Sequence, residues 1–435
     1  MAKHIHEFRD PIHNFIHVTS EERKVINTLA FQRLRHIHQL ATTYLIYPSA
    51  THKRFEHSLG VMELAGRVYD IITDDENIKY EHESVRDILP YRDDIKEWKR
   101  ILKIAALLHD IGHLPFSHAA EDDLLPEGFN HEKLTIQLIE NSELTKTLED
   151  LRLRPKLVAK IAVGPKEYKG SSFSTWEALL SEVIVGNSFG VDRIDYLLRD
   201  SHHVGVAYGK FDYYRLLETI RILPKSEGDG TEKSVEPVIG IEEGGINVAE
   251  SLLLARYFMF SQVYFHPIRR AYDTHLKDFL IRWLPNGKFP TEPDKHIKMT
   301  DNEVNSGLQG CYFDSKHVAH KEAKRLIERN HFKLFYTGKQ FDLQQNPKAT
   351  DLVYEKAKEV FGSENIRRDK YPPKKAADVF PVYLREGRII PSIERSSILS
   401  QIPIASFDYL FIEPSQIGKA EEWRDKELKN ILKFS

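Results

Sequence analysis

The chain has 435 residues, of which 41% are apolar, a formal net charge of −3 and one cysteine, Cys311. This charge does not indicate a general nucleic-acid-binding surface, and a single cysteine excludes an intramolecular disulfide and any cysteine-based zinc site. No stretch approaches the ~18 apolar residues of a membrane span, and the first residues lack the apolar core of a signal peptide. The sequence therefore predicts a soluble, cytoplasmic protein without a membrane partner.

The first half of the chain has mainly helical patterns. Residues 5–18 alternate loosely around Asp10-Pro11 and predict a short hairpin. Apolar residues recur at helical spacing over residues 21–40 and, more strongly, over residues 55–72. Further helices are predicted at residues 131–142, 154–163, 173–187, 191–201 and 246–283.

Composition changes after about residue 285, where prolines break the chain and helices mix with short strand-like runs. Before that point, turn-forming residues at 222–236 predict an exposed loop, and residues 238–242 predict a strand. The predicted fold class is mainly α, with a helical core and a smaller α+β C-terminal part. The predicted divisions are 1–50 for an N-terminal segment and a helix of the core, 51–285 for the core, and 286–435 for the α+β region.

An apolar helix that starts at Ile101 ends in polar residues. Its apolar side chains fall on nearly every side, which predicts a buried helix that Gly112 and Pro115 stop. Burying acidic and imidazole groups costs several kcal/mol unless they are paired, and a divalent cation is the obvious partner at a helix C-terminus. An isolated His-Asp pair is more often a satisfied pair at a helix end, so the other residues in reach decide. The polar residues at this end are His109, Asp110, His113 and His118.

A second polar face is predicted on a later helix. Asp192, Tyr196 and Asp200 recur at intervals of four residues and share one side of that helix, with Arg193 beside them. A solvated charged face is the alternative explanation for this pattern. The opposite side carries Ile194, Leu197 and Leu198, which predicts that it is buried.

The polar residues form an ordered set of motifs. His57, His109-Asp110 and Asp192 follow the order H…HD…D, which resembles the HD-domain metal-dependent phosphohydrolases. Longer stretches within residues 5–275 resemble the branch of that family that hydrolyses deoxynucleoside triphosphates. These stretches are Phe31-Gln-Arg-Leu-Arg35, Gln39-Leu40, Arg54-Phe-Glu-His-Ser-Leu-Gly60, Leu108-His-Asp-Ile-Gly-His113, Pro115-Phe-Ser-His118 and Asp192-Arg-Ile-Asp-Tyr-Leu-Leu-Arg-Asp200.

The two imidazoles and two carboxylates of the H…HD…D order are mixed nitrogen and oxygen ligands. Such ligands suit Mn, Fe, Zn or Mg and do not choose among them. A metal held there would polarise a phosphoryl oxygen and could lower the pKa of a bound water. Arg54, beside His57, and Arg193 can neutralise a polyphosphate. His113, one turn after His109, can face the same cavity.

The resemblance also implies a reaction and residues that carry it. His113, His118 and His131 would contact the α-phosphate or move protons, and Glu121 would orient His131. Attack at the α-phosphorus would release a deoxynucleoside and inorganic tripolyphosphate. The substrate would be a deoxynucleoside triphosphate, and the assembly would be a homotetramer.

Recognition of the sugar follows from the same resemblance. Gln39 and Asp200 would hold the 3′-hydroxyl, while Leu40 would pack against C2′ and disfavour ribose. Tyr196 and Tyr272 would flank phosphate or sugar. Ordinary core packing is the alternative explanation for Leu40 and Tyr272.

A nucleotide activator is implied at a second place. The residues concerned are Arg9, Asn27, Gln32 and Arg35, and the first two depart from the regulated animal pattern, so guanine specificity is not predicted. Two other functions stay open on the sequence alone. One is another HD-domain phosphohydrolase, such as a phosphodiesterase, nucleotidase or nuclease, and the other is a nucleotide-sensing regulator with little turnover.

Overall fold

The computed structural model describes residues 5–78, 85, 88–91, 93–117, 121–225, 236–373 and 379–433. Over these residues the molecule is mainly α, as predicted, with strands gathered into small sheets. No helix among them is long and apolar enough to cross a membrane.

The described part of the chain starts with an antiparallel hairpin of β1 (Ile5–Asp10) and β2 (Asn14–Thr19), as predicted. The single helix predicted over residues 21–40 is wrong. Two short helices, α1 (Ser20–Ile26) and α2 (Leu29–Gln32), and a 3-10 turn replace it.

The break between α1 and α2 has a local cause. The hydroxyl of Thr28 accepts a hydrogen bond from Phe31 N and so caps the second helix. Threonine stabilises a helix more at this capping position than in the interior. Because the helical stretch ends early, Gln39 and Leu40 lie in an irregular segment.

The central helices pack around α3 (Arg54–Ile72) and α4 (Ile95–Leu108). Helix α3 confirms the helix predicted over residues 55–72. Helix α4 ends before Gly112, the residue predicted to stop it. Residues 109–112 form turns, closed by the hydrogen bond from His113 N to Asp110 O. The other described helices before residue 285 are α5 (Glu121–Leu124), α6 (His131–Asn141), α7 (Glu143–Asp150), α8 (Pro155–Glu167), α9 (Thr175–Val185), α10 (Val191–Val204), α11 (Tyr213–Thr219), α12 (Ile246–Met259) and α13 (Pro267–Trp283).

One sheet joins strands from distant parts of the chain. Residues 222–225, predicted as loop, belong to β3 (Ile220–Lys225), because they pair antiparallel with β4 (Glu236–Glu242); residues 226–235 of that predicted loop lie outside the described residues. The strand predicted at 238–242 is confirmed within β4. β7 (Pro381–Tyr383) pairs parallel with β4, and β8 (Ile389–Pro391) pairs antiparallel with β7.

The last part of the chain mixes helices and strands, as predicted. Strand β9 (Phe407–Ile412) lies between β5 (Lys333–Thr337) and β6 (Ile366–Tyr371), and both pairings are antiparallel. The described helices of this part are α14 (Pro293–His296), α15 (Asp301–Phe313), α16 (His320–Ile327), α17 (Gln340–Gln345), α18 (Ala349–Phe361), α19 (Ser392–Arg395), α20 (Ser397–Gln401) and α21 (Ile417–Lys433).

Two of the apolar core clusters position the polar residues. The larger one surrounds α3 and α4 and extends to residues of the C-terminal part such as Phe380 and Val382. A second cluster joins Phe116, after the turns that follow α4, to residues of α13, α15 and α16. Helices beyond residue 285 therefore support the segment that carries His109 and Asp110. The division of the chain at residues 50 and 285 stays a prediction.

Candidate active site

The four predicted metal ligands converge from three elements. His57 lies in α3, His109 and Asp110 follow α4, and Asp192 lies in the first turn of α10. The ligand atoms of the first three lie within 4.8 Å of one another. Asp192 Oδ1 lies 3.1 Å from His57 Nε2 and 3.5 Å from His109 Nε2. The fold thus brings all four side chains together.

Hydrogen bonds behind each imidazole set which nitrogen faces the cluster. His109 Nδ1 donates to Ala106 O at 2.8 Å, and His57 Nδ1 donates to Asp195 Oδ2 at 2.8 Å. Each neutral ring then carries its lone pair on Nε2, the arrangement of a metal-binding histidine. His109 Nε2 is buried and makes no hydrogen bond within the described part of the chain. These two imidazole nitrogens are therefore suited to bind a divalent cation.

The carboxylates of this cluster are held in their charged form. Burial opposes ionisation of Asp110, but two neighbouring histidines and Arg54 outweigh it and hold its pKa well below the usual range. Burial also opposes ionisation of Asp192, yet the neighbouring imidazoles of His109 and His57 lower its pKa. Burial disfavours a charge on His57, whereas hydrogen bonds with two aspartates raise its pKa to about 10, so a cation that binds Nε2 would displace a proton from it. Two negative charges therefore face the place where a cation would lie.

The predicted proton-handling residues lie beside this cluster. The rings of His113 and His131 stack with centroids 4.0 Å apart. His113 Nε2 lies 3.1 Å from Asp110 Oδ1, and His131 Nδ1 donates to Glu121 Oε1 at 2.9 Å. Burial holds the pKa of His113 well below its ordinary value, whereas the hydrogen bond with Glu121 raises that of His131 against the effect of burial. His118 lies outside the described residues.

Two arginines bring positive charge to the site. Arg54, the first residue of α3, is 2% exposed and donates from Nη1 to Asp110 Oδ2. Arg193 is half-buried, and its Nε and Nη1 atoms are buried without a hydrogen-bond acceptor among the described residues. Buried N–H groups left unpaired are costly, so these donors suit an anionic ligand.

The residues predicted to read the sugar are all buried. Gln39 Oε1 makes no hydrogen bond within the described chain, and Leu40 belongs to the larger core cluster. Asp200 accepts hydrogen bonds from His52 Nε2 at 2.7 Å and from the Tyr264 hydroxyl at 2.6 Å. The sequence did not predict these two donors, which fix the direction of the Asp200 carboxylate.

The two predicted tyrosines have different surroundings. Tyr196 is half-buried on α10, and its ring meets that of Tyr264 edge-on with centroids 6.3 Å apart. Tyr272 is fully buried in the second core cluster, and its hydroxyl accepts a hydrogen bond from Arg329 Nε at 3.4 Å. Tyr272 therefore has the packing of a core residue, and its contact with substrate stays a prediction.

Three of the four predicted activator residues share a cavity at the N-terminal hairpin. This cavity has a volume of about 400 Å³ and is lined by Asn27, Gln32 and Arg35 together with His6 and Arg23. The fourth residue does not line it: the guanidinium of Arg9 lies 4.6 Å from the centre of the Phe15 ring.

Comparison with known proteins identifies the relationship. A model of the HD domain matches residues 54–164, and a model of the HD associated region matches residues 211–367. The crystal structure of a hypothetical protein from Aquifex aeolicus is 30% identical, with a TM-score of 0.75, over 96% of this chain and 99% of that one. This chain belongs to the HD-domain phosphohydrolase family. HD domains bind divalent metal ions, and the matched region contains the converged His57, His109 and Asp110.

Other relatives of this HD-domain chain are longer. An uncharacterized protein of Methanocaldococcus jannaschii is 34% identical over 77% of this chain and 60% of its own length. The deoxynucleoside triphosphate triphosphohydrolase SAMHD1 of Bos taurus is 30% identical over 67% of this chain and 48% of its own length. The chain therefore spans about half the length of the curated relatives it matches.

A buried hydrogen-bond network behind the HD motif was not predicted from the sequence. Asp195 Oδ1 accepts from His13 Nε2 at 2.7 Å, while Oδ2 accepts from His57. Arg199 clamps both oxygens and reaches Asp10 Oδ2 at 2.8 Å. The spacing of Asp195 and Arg199, four residues apart on one helix, was the available signal.

A cavity of about 700 Å³ opens on one side of the HD motif. Its wall includes His109, Asp110 and Asp192, together with His131. Much of the rest of the wall comes from α8, α9, β4 and β7. Acidic residues line it at Glu132 of α6 and at Glu167, Glu182 and Glu236. Lys166 lines it, whereas Arg54 and Arg193 do not, so acidic side chains outnumber basic ones on this side of the site.

Proposed function

We propose that this chain hydrolyses deoxynucleoside triphosphates to a deoxynucleoside and inorganic tripolyphosphate, with a divalent metal ion. The observation that carries this proposal is the convergence of His57, His109 and Asp110, whose ligand atoms lie within 4.8 Å of one another. Positive charge for a polyphosphate would come from two guanidinium groups. Arg54 is held at the site by its contact with Asp110, and Arg193 has unpaired donors. The name of the bovine relative supports this substrate class.

The reaction divides between the metal and the side chains. A bound divalent cation would supply Lewis-acid polarisation of a phosphoryl oxygen. Arg54 and Arg193 would neutralise the polyphosphate. A water oxygen bonds to the α-phosphorus while the bond from phosphorus to the sugar O5′ breaks. His113 would accept a proton from the water, and His131, oriented by Glu121, would give one to O5′.

Selection of deoxyribose would come from the irregular segment after α2. Gln39, with its unpaired Oε1, and Asp200, fixed by two donors, would hold the 3′-hydroxyl. The buried position of Leu40 leaves little freedom for it to move away from a 2′-hydroxyl.

Regulation and assembly complete the proposal. The cavity beside Asn27, Gln32 and Arg35 would hold a nucleotide activator, since His6, Arg23 and Arg35 bring basic groups to it. A homotetramer is proposed on family resemblance.

Analysis of the products tests this function. The protein would be incubated with each deoxynucleoside triphosphate, singly and mixed, with Mn²⁺ or Mg²⁺ and with a chelator. We expect deoxynucleoside and tripolyphosphate, lost with the chelator and lost in the double variant His109→Ala, Asp110→Asn. Nucleoside mono- or diphosphate as product would instead indicate another HD-domain phosphohydrolase, and binding without product would indicate a sensor.

A further inference from the structure

A carboxylate of the HD associated region reaches into the HD domain. Asp301 is the first residue of α15 and is 1% exposed. Its Oδ2 accepts from His38 N at 2.7 Å and from His38 Nδ1 at 2.5 Å. Its Oδ1 accepts from Phe116 N at 2.9 Å. One side chain therefore holds two segments that lie 78 residues apart.

The first segment leads directly to the predicted sugar contacts. His38 is followed by Gln39 and Leu40, and the backbone of Gln39 is tied to His52 by the hydrogen bond from Gln39 N to His52 O at 3.0 Å. On its other ring nitrogen, His38 accepts from Lys53 Nζ at 2.6 Å, one residue before Arg54. Displacing the His38 backbone would therefore displace the sugar contacts.

The second segment follows the proton-handling His113. Phe116 has a φ of 51°, a left-handed conformation that costs free energy for a residue with a large side chain. Its neighbour Ser117 accepts a hydrogen bond from His113 Nδ1 at 2.9 Å. The bond from Phe116 N to Asp301 offsets the strain and keeps Ser117 within reach of the imidazole.

The surroundings of Asp301 show that the two segments are held as one unit. The rings of His38 and Phe116 lie parallel with centroids 5.9 Å apart. Arg33 runs alongside, donating to Met299 O and to His113 O, both at 2.8 Å. Buried, charge-assisted hydrogen bonds of this kind are stronger than neutral ones.

We propose that Asp301 is a positioning residue: from the HD associated region it sets the geometry of both sugar selection and the His113 segment. This proposal rests on the proposed function, because the proposed function gives the two segments their roles in hydrolysis. It makes the HD associated region a part of the catalytic unit. Loss of the carboxylate then changes which sugar is selected, in addition to how fast the reaction runs.

The test compares two variants with a matched control in the full-length chain. Asp301→Ala removes the acceptor oxygens for both segments. Asp301→Asn offers one acceptor oxygen and one donor, so it can bind one segment and repels the N–H group of the other. Asp314→Asn, an exposed acid at the other end of α15, is the control. For each protein, kcat/KM is measured for a deoxynucleoside triphosphate and the matching ribonucleoside triphosphate. Amide hydrogen exchange is measured at His38 and Phe116.

The ratio of the two kcat/KM values is independent of the folded fraction, so a merely structural role leaves it unchanged. We expect Asp301→Ala to lower kcat by about 100-fold and to reduce the preference for deoxyribose, with Asp301→Asn intermediate and Asp314→Asn like the wild type. Exchange at both amides should accelerate in the alanine variant. An unchanged sugar ratio in an active variant would overturn the proposal.

The two proposals can fail separately. A wild-type protein that releases no tripolyphosphate contradicts the proposed function, and amide exchange then decides whether Asp301 holds the two segments. If the wild-type protein releases tripolyphosphate but Asp301→Ala leaves amide exchange at His38 and Phe116 unaltered, only the positioning role is contradicted.

Discussion

Asp195 holds three charged or polar partners from distant places in the chain. It accepts hydrogen bonds from His13, His57 and Arg199, and Arg199 continues to Asp10. The ring of His57 is thereby fixed with Nε2 toward the cluster. This carboxylate also packs directly against Gly60, where an added Cβ would lie 2.0 Å from Asp195 Oδ1.

Replacing Asp195 by Asn should therefore weaken metal binding. The amide presents one acceptor to donors that now approach two oxygens, so the orientation of His57 is no longer unique. Loss of such a partner typically lowers metal affinity by about 10- to 100-fold. Equilibrium titration with Mn²⁺ measures the effect, and Asp70→Asn, which alters an exposed ion pair with Lys99, is the control. Equal affinity in folded Asp195→Asn protein would show that the network does not orient His57.

At this scale the sequence predicted periodic features better than contacts between segments. The shared face of Asp192, Tyr196 and Asp200 follows from helical spacing alone. Asp195 projects from the same helix, but its importance depends on His13 in the N-terminal hairpin, which no local pattern links to residue 195. Likewise, nothing near residue 301 indicates contact with His38.

Packing between elements sets the distance between His113 and His131, the residues proposed to handle protons. The turns after α4 touch the start of α6: Gly112 N donates to Thr135 Oγ1 at 3.0 Å, and that hydroxyl donates to His109 O at 3.2 Å. A Cβ at Gly112 would lie 2.2 Å from His131 O. The glycine is thus required by close approach of two backbones, and it was predicted only as a helix stop.

Gly112→Ala should push α6 away from the HD turn. The contacts are with backbone atoms, which cannot rotate aside as a flexible side chain would, so His131 moves relative to His113. We expect a loss of about 1–3 kcal/mol in unfolding free energy and a fall in kcat of about 100-fold. Urea unfolding and steady-state kinetics measure the two effects. Gly310→Ala in α15, where an added Cβ meets nothing within 4 Å, should change neither by much, and similar values for the two variants would contradict the close-packing argument.

Over the whole molecule, the HD domain and the later helices share their cores. Residues of α13, α15 and α16 pack with Phe116, and Phe380 and Val382 join the cluster around α3. The sequence predicted the fold class and the mixed C-terminal part, because helical periodicity and strand-like runs are local signals. It did not show that β7 would pair with β4, since such pairing depends on contacts more than a hundred residues apart.

This shared core carries buried histidines that should make the stability depend on pH. Burial and nearby arginines lower the pKa of His275 to about 3, and burial with Arg33 lowers that of His296 to about 3. Because the unfolded pKa is about 6.5, their contribution is fully present above that pH and is lost as the pH falls from 6.5 toward 3.

For each of these histidines, we expect the free energy of unfolding to fall by about 2 kcal/mol when the pH is lowered from 7.5 to 5. His275 accepts a hydrogen bond from Phe332 N at 3.0 Å, and the Gln side chain also offers an acceptor. His275→Gln should therefore fold and should flatten this pH dependence by about that amount. Urea unfolding at the two pH values measures it, with His17→Gln, a 60% exposed side chain, as control. An unaltered slope in His275→Gln would mean that this imidazole is protonated without unfolding the core.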